Sequence, residues 1–123
     1  MHPNGTVLVV EDEPLIAMEI EDAIKEMGLV SRTASGLSEA VHLALFDDLR
    51  AAVLDVQLRG DSSEPLAAIL RARSIPFVIS TGSEQARLPE AFEGVPILTK
   101  PYPEAELKKM LRHMVSGAAT NVP

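Results

Sequence analysis

Four short aliphatic runs in this chain each lead into residues that can bind a metal ion or a phosphoryl group. Glu11 and Asp12 follow the first of these runs, and Asp55 follows the second. Thr81 and Lys100 follow the other two. Three carboxylates in one pocket would repel one another unless a hard cation neutralised them, and Mg²⁺ binds a few carboxylates while keeping water and phosphate oxygens as ligands. The residue types therefore predict a divalent cation site, provided that the fold brings them together.

The same residues suit phosphoryl transfer. Asp55 is a candidate nucleophile, because a carboxylate can form an acyl phosphate. The Lys100 ammonium would neutralise phosphoryl oxygens, and the Thr81 hydroxyl would donate a hydrogen bond to one of them. Gly82 has no side chain and would let the backbone approach the group. The predicted chemistry is an aspartyl phosphate formed with Mg²⁺ as the cofactor.

Hydrophobic periodicity divides the chain into the strands and helices that must position these residues. Aliphatic runs of strand length predict five strands, at residues 6–10, 29–34, 51–54, 77–80 and 96–98. Apolar residues at helical spacing predict four helices, at residues 14–27, 37–45, about 65–70 and 103–115. Prolines near the first turn of three of these helices, and Gly28 after the first helix, support the boundaries.

Strands that alternate with helices predict an α/β fold in which a five-stranded parallel sheet has helices on both faces. Ligands of such sheets bind at the carboxyl ends of the strands. The candidate residues all follow strands, so we expect them to meet at one edge of the sheet. We expect a single domain over residues 1–123, with its body at residues 5–115 and a small polar tail at 116–123 that frays.

Residues 83–92 have the weakest helical pattern of the chain. Pro89 removes a backbone donor, and the neighbouring apolar residues fit one helical face poorly. We expect a short or mobile element between the fourth and fifth strands.

Composition excludes several functions. The 11 basic and 18 acidic residues give a net charge of −7, the wrong sign for binding a phosphate backbone, and aromatic residues make up only 3% of the chain. We therefore expect no nucleic-acid partner. The absence of cysteine excludes disulfides, thiolate metal sites and a cysteine nucleophile. No basic stretch precedes an apolar one near the N-terminus, which predicts no membrane association and a cytoplasmic location.

Four motifs in order, VLVVEDEP, AVLDVQLRG, PFVISTG and ILTKPY, carry a family resemblance. Over essentially the whole chain they resemble the CheY-like receiver domains of bacterial two-component response regulators. The resemblance implies a flavodoxin-like fold with strand order 2-1-3-4-5. It also implies a stand-alone response regulator whose partners are a sensor histidine kinase or phosphotransfer protein and a downstream protein. We expect a monomer or weak dimer that catalyses only its own phosphorylation and dephosphorylation.

The resemblance also implies roles for the metal-binding residues. Glu11 and Asp12 match the acidic pair that holds Mg²⁺, directly or through water. Asp55 matches the phosphoacceptor, which is also a metal ligand. Gln57 matches the position whose backbone carbonyl contributes to the metal site.

Two further residues match the positions that contact the phosphoryl group in the family. Thr81 matches the hydroxyl donor, and Lys100 matches the ammonium. The signal would pass from the acceptor through Thr81 to residues 83–92. The phosphorylated protein would then change its contacts with a partner, or it would serve as a phosphate sink.

The sequence departs from the family pattern at Ile97, three residues before the lysine, where receivers usually carry Tyr or Phe as a switch residue. We expect Ile97 to pack in the core. The motif PFVISTG also resembles the PFxFATGY signature of an atypical subset paired with HWE-type histidine kinases. It is only partly kept, with Ile79, Ser80 and Ser83 replacing Phe, Ala and Tyr.

Other interpretations remain open at this stage. Glu11 and Asp12 would also suit the start of the first helix as caps. A pseudo-receiver that binds partners regardless of phosphorylation is favoured only by Ile97. A phosphatase with an aspartate nucleophile usually has a second acid beside it, and the residues after Asp55 offer none.

Overall fold

The structure, a computed structural model, describes residues 5–82 and 88–116, and these contain seven strands and four α-helices. In chain order they are β1 (Thr6–Val10), α1 (Pro14–Glu26), β2 (Val30–Ala34), α2 (Leu37–Phe46), β3 (Ala51–Asp55), β4 (Gln57–Leu58), β5 (Asp61–Ser62), α3 (Glu64–Ala72), β6 (Phe77–Thr81), β7 (Ile97–Thr99) and α4 (Glu104–Val115). Within these ranges no helix is both long and apolar enough to cross a membrane.

Five of the strands form one parallel sheet in the order β2-β1-β3-β6-β7. Because β6 and β7 are the fourth and fifth strands of this sheet, the expected order 2-1-3-4-5 is confirmed. Every residue of β3 except the last is buried, as is usual for a central strand covered on both faces. The strand ends that carry the candidate residues therefore lie along one edge.

Helices cover both faces of the sheet and enclose two separate apolar cores. On one face α1 and α4 pack against the sheet, and on the other α2 and α3 do so. The fully buried residues of α1 and α4 recur at helical spacing; they include Ile20, Ala23, Ile24, Leu107 and Leu111. These two layers hold the strands, and hence the site, in a fixed arrangement.

The first helix begins and ends where its sequence indicates. Pro14 occupies the first helical position, and Gly28 follows the helix with φ of +79°, a conformation that favours glycine. The N-cap residue is Glu13, and its side chain makes no capping hydrogen bond.

The region between β6 and β7 contains a single turn of 3₁₀ helix at Glu90–Phe92, within the residues that the structure describes. Phe92 is 1% exposed and packs in the core formed by α2 and α3. The expected short element is therefore present at residues 90–92. Residues 83–87 of the segment lie outside the described residues.

Ile97 corrects one expectation. It does not pack in the core, because its side chain is 42% exposed. The residue lies on β7, an edge strand with β6 as its one neighbour in the sheet, and its side chain is on the opposite side of that strand from Leu98, which is fully buried.

Arg50 connects the two ends of the described body. Its backbone N–H donates to the Thr6 carbonyl at 2.8 Å, and its guanidinium donates to the Val115 carbonyl at 2.6 Å. Gly5 lies against the Arg50 side chain, where a Cβ would come within 2.3 Å of Arg50 Cγ.

Candidate functional site

Three carboxylates converge at the carboxyl ends of β1 and β3. Glu11 and Asp12 come directly after β1, and Asp55 is the last residue of β3, which pairs with β1 in parallel. One oxygen from each carboxylate lies within 4.8 Å of the other two. Glu11 is 2% exposed. An all-oxygen, anionic set of this kind fits a hard divalent cation such as Mg²⁺.

Lys100, which follows the edge strand β7, bridges two of these carboxylates. Its Nζ lies 3.0 Å from Asp55 Oδ2 and 3.2 Å from Glu11 Oε1. The residue follows β7, and its backbone N–H donates to the Thr81 carbonyl at 2.8 Å, which extends the β6–β7 pairing past the strand end. The sheet thus delivers the ammonium to the acidic site.

Local backbone groups orient two of the carboxylates. The Glu13 N–H donates to Glu11 Oε2 at 3.1 Å. The Gln57 N–H donates to Asp55 Oδ1, also at 3.1 Å. In both cases the donor lies two residues after the acceptor, so the turn that follows each strand holds the side chain in place.

Asp12 is oriented by a distant part of the chain. Its Oδ2 accepts a hydrogen bond of 2.8 Å from the backbone N–H of Arg59. Arg59 lies in the loop of the antiparallel β4–β5 hairpin, which the sequence did not predict because each of its strands has only two residues. No motif in the sequence predicts a role for Arg59.

Burial and charge shift two pKa values within the site. Burial raises the pKa of Glu11 above its usual value, and the hydrogen bond from Glu13 and the charge of Lys100 offset this only in part. Burial alone would lower the pKa of Lys100, but the hydrogen bond and charge of Asp55, together with Glu11, raise it overall. The site therefore favours the charged form of Lys100 and disfavours the charged form of Glu11.

Thr81 and Gln57 lie where the strand ends predict. Thr81 ends β6 and is partly buried. Gln57 begins β4 with an exposed side chain, two residues after Asp55. The sheet thus brings the predicted residues to one edge, with Glu11, Asp55 and Lys100 in direct contact.

The capping interpretation of Glu11 and Asp12 is not supported. Glu11 does accept the Glu13 N–H, but it does so while it is buried and paired with Lys100. Asp12 accepts from the β4–β5 hairpin and not from α1. Both carboxylates therefore belong to the acidic site.

Tyr102 lies beside the site without a predicted role. Its ring packs against the core formed by α1 and α4. Burial is the main cause that raises the pKa of its phenol, and the negative charge of Glu11 adds to it.

Comparisons with known proteins agree with this arrangement. The family model described as the response regulator receiver domain matches residues 7–112. Sensory transduction protein LytR of Staphylococcus saprophyticus is 27% identical over an alignment of 116 positions, and the match covers 90% of this chain and 45% of that protein. The chain thus spans less than half the length of this curated relative.

Two solved structures illustrate the likeness in three dimensions. The solution structure of SdrG from Sphingomonas melonis Fr1 is 36% identical, with a TM-score of 0.77, and covers 89% of this chain and 95% of that chain. The receiver domain of a sensor histidine kinase from Pseudomonas aeruginosa PAO1, whose active-site cleft coordinates a magnesium ion, gives a TM-score of 0.80 at 24% identity. It covers 91% of this chain and 98% of that chain, and at this identity it is a likeness of fold.

Proposed function

Because the chain belongs to the response regulator receiver domain family, we propose that it accepts a phosphoryl group on Asp55 from a phosphohistidine of a sensor histidine kinase or phosphotransfer protein. In this step the P–N bond of the donor breaks and a P–O bond to an Asp55 carboxylate oxygen forms. The electron pair of the broken bond stays on the donor imidazole, which takes up a proton. The chemistry acts on the protein itself, so no small-molecule substrate is turned over.

The observation that carries this proposal is the position of Lys100. Its ammonium lies 3.0 Å from Asp55 Oδ2 and 3.2 Å from Glu11, among three carboxylates. A cation beside a nucleophilic carboxylate supports the reaction because it offsets the negative charge of the arriving phosphoryl oxygens.

Glu11, Asp12, Asp55 and the backbone carbonyl of Gln57 are the groups that we propose to hold Mg²⁺. When bound, the ion supplies positive charge that lets the anionic phosphoryl group enter an acidic pocket. The hydrogen bonds from Glu13 and other backbone groups keep the carboxylates oriented in its absence.

The output follows from the added charge. Phosphorylation replaces the single negative charge of Asp55 with a group that carries more, and we propose that Lys100 and the Thr81 hydroxyl bind its oxygens. Movement of Thr81 would then alter the contacts that residues 83–92 make with a downstream protein. If the protein is instead a phosphate sink, phosphoryl transfer to Asp55 is the only step that it needs to perform. In either role, we propose that the protein acts in the cytoplasm and is a monomer or weak dimer.

Mass spectrometry after incubation with acetyl phosphate and Mg²⁺ tests the proposal. The intact protein should gain the mass of one phosphoryl group, and Asp55→Asn should gain none. Asp48→Asn, which changes an exposed aspartate, is the matched control and should be labelled like the unmodified protein. Labelling of Asp55→Asn to the same extent would contradict the assignment.

The second candidate is a pseudo-receiver that binds its partner regardless of phosphorylation. Ile97 favours it, because this residue replaces the aromatic residue usual in the family and its side chain is 42% exposed. Binding of a partner protein with the same affinity before and after phosphorylation would decide for this candidate.

A further inference from the structure

The hydrogen bond to Asp12 differs from those to the other two carboxylates. The backbone N–H groups that donate to Glu11 and Asp55 lie two positions away, whereas the backbone N–H that donates to Asp12 belongs to Arg59, 47 residues along the chain. Its orientation therefore depends on the position of the β4–β5 hairpin.

The hairpin fixes the Arg59 N–H in space. Pairing of Leu58 with Asp61 leaves Arg59 and Gly60 as a two-residue loop, and both have positive φ, of 50° and 88°. This is the pattern of the tight turns that suit hairpins, in which a residue other than Gly, Asn or Asp is uncommon. Leu58 is 1% exposed, so the hairpin is anchored in the core.

Contacts on either side hold the hairpin against the site. The Arg59 guanidinium donates to Ser35 Oγ at 3.3 Å, just beyond the end of β2. At the other end, the Ser63 N–H and hydroxyl both donate to the Val56 carbonyl, at 3.0 and 3.1 Å. The loop is therefore tied to Ser35 beyond β2, and the base of the hairpin is closed at the end of β3.

We propose that Arg59 is a positioning residue for the metal site, acting through its backbone N–H on the Asp12 carboxylate. The inference rests on the proposed function, in which Asp12 is one of the Mg²⁺ ligands. A donor that satisfies one oxygen of Asp12 restricts rotation of the carboxylate, so less ordering remains when a cation binds. The N–H group of Arg59 orients the Asp12 carboxylate, whereas its guanidinium stabilises the hairpin through the hydrogen bond to Ser35.

Calorimetric titration with Mg²⁺, without any phosphoryl donor, tests the proposal. Arg59→Pro removes the N–H and, because proline fixes φ at about −65°, also shifts the loop from its positive φ, so Mg²⁺ binding should weaken by about tenfold or more. Arg59→Gly keeps the N–H and accepts positive φ readily, so it should restore the affinity of the unmodified protein to within about twofold. Ser35→Ala removes only the guanidinium contact and should also bind within about twofold of the unmodified protein.

Each outcome of this titration decides a separate point. If the unmodified protein binds no Mg²⁺, the proposed function fails. If it binds and Arg59→Pro binds equally well, only the positioning role fails. If Arg59→Gly is as weak as Arg59→Pro, the role belongs to the side chain and the proposal is overturned.

A spectroscopic test covers the case in which Arg59→Pro disturbs the hairpin. In the unmodified protein the Arg59 amide should exchange slowly with solvent, and in Asp12→Ala it should exchange faster, with its proton resonance moving upfield. The neighbouring Gly60 amide is the internal reference. An Arg59 amide unaffected by Asp12→Ala would contradict the hydrogen bond and the proposal.

Discussion

Two serines that are both fully buried differ in their hydrogen bonding. Ser63 Oγ donates to the Val56 carbonyl at 3.1 Å, whereas Ser80 Oγ has no hydrogen-bond partner among the described residues. A buried hydroxyl without a partner costs stability, because it loses its water without compensation. Comparison of the two serines therefore distinguishes the destabilising effect of burying a hydroxyl from the stabilising effect of its hydrogen bond.

We expect Ser80→Ala to raise the free energy of unfolding by about 1 kcal/mol and Ser63→Ala to lower it by a similar amount. Urea unfolding of the two variants and the unmodified protein would measure both changes. Two changes of the same sign would contradict this explanation.

Glu11 gives the site a pH dependence. Burial raises its pKa, so the charged form is disfavoured in the folded state. The stability that Glu11 contributes is fully present below its usual pKa of 4.5 and is lost as the pH rises through its folded pKa. In metal-free buffer at pH 7, Glu11→Gln should therefore unfold at a higher temperature than the unmodified protein.

The pH series provides the check on this prediction. The difference between Glu11→Gln and the unmodified protein should shrink as the pH falls below 4.5, where Glu11 is protonated in both states. Asp48→Asn, at an exposed carboxylate, serves as the control for removing one charge. A Glu11→Gln protein that is less stable at pH 7 would show that the Lys100 pair outweighs burial.

At the level of elements, the strands and helices with long apolar patterns could be predicted and the short pieces could not. Five aliphatic runs and four helical stripes carry enough residues to indicate their period. The β4–β5 hairpin has two residues in each strand, and its loop begins with Arg59, which is not a favoured residue for positive φ. The exposure of Ile97 depends on which strand forms the edge, a property of the assembled sheet.

Arg71 of α3 holds the segment before β7. Its Nε donates to the Ala91 carbonyl at 3.2 Å and its Nη2 to the Glu93 carbonyl at 2.9 Å, while its guanidinium lies 5.8 Å from the centre of the Phe77 ring. Arg71→Met keeps much of the packing and removes the donors. We expect faster amide hydrogen exchange over residues 88–95, measured by mass spectrometry.

Arg73 provides the matched control, because it donates to carbonyls at the end of α2, including that of Asp47 at 3.0 Å. Arg73→Met should speed exchange around residues 43–49 and leave residues 88–95 unchanged. If Arg71→Met left exchange over residues 88–95 unchanged, the expectation that Arg71 stabilises this segment would be wrong.

At the scale of the whole molecule, metal binding should couple to unfolding. A cation bound only by the folded protein stabilises it by about 2.7 kcal/mol at 100 times its dissociation constant. For a domain of this size that corresponds to a rise of roughly 10 °C in the midpoint of thermal unfolding. Scanning calorimetry with Mg²⁺ should show this rise, and EDTA should reverse it.

Asp12→Ala is the variant that makes this measurement specific. It removes one carboxylate of the site and should show a much smaller rise with Mg²⁺. An equal rise in Asp12→Ala and the unmodified protein would mean that the ion binds elsewhere.

The sequence predicts the residues of the site better than their environment. The convergence of Glu11, Asp12, Asp55 and Lys100 could be predicted because parallel strands bring their carboxyl ends to one edge. Contacts between distant segments, such as the hydrogen bond to Asp12, have no local pattern in the sequence. They depend on side-chain and loop placement that only the folded chain defines.

The contacts of Arg50 have a practical consequence for labelling and protein engineering. They join the start of β1 to the end of α4 at the amino-terminal pole of the sheet, opposite the acidic site. A fluorophore or affinity handle attached near Gly5 or Ser116 would therefore leave the approach to Asp55 uncovered.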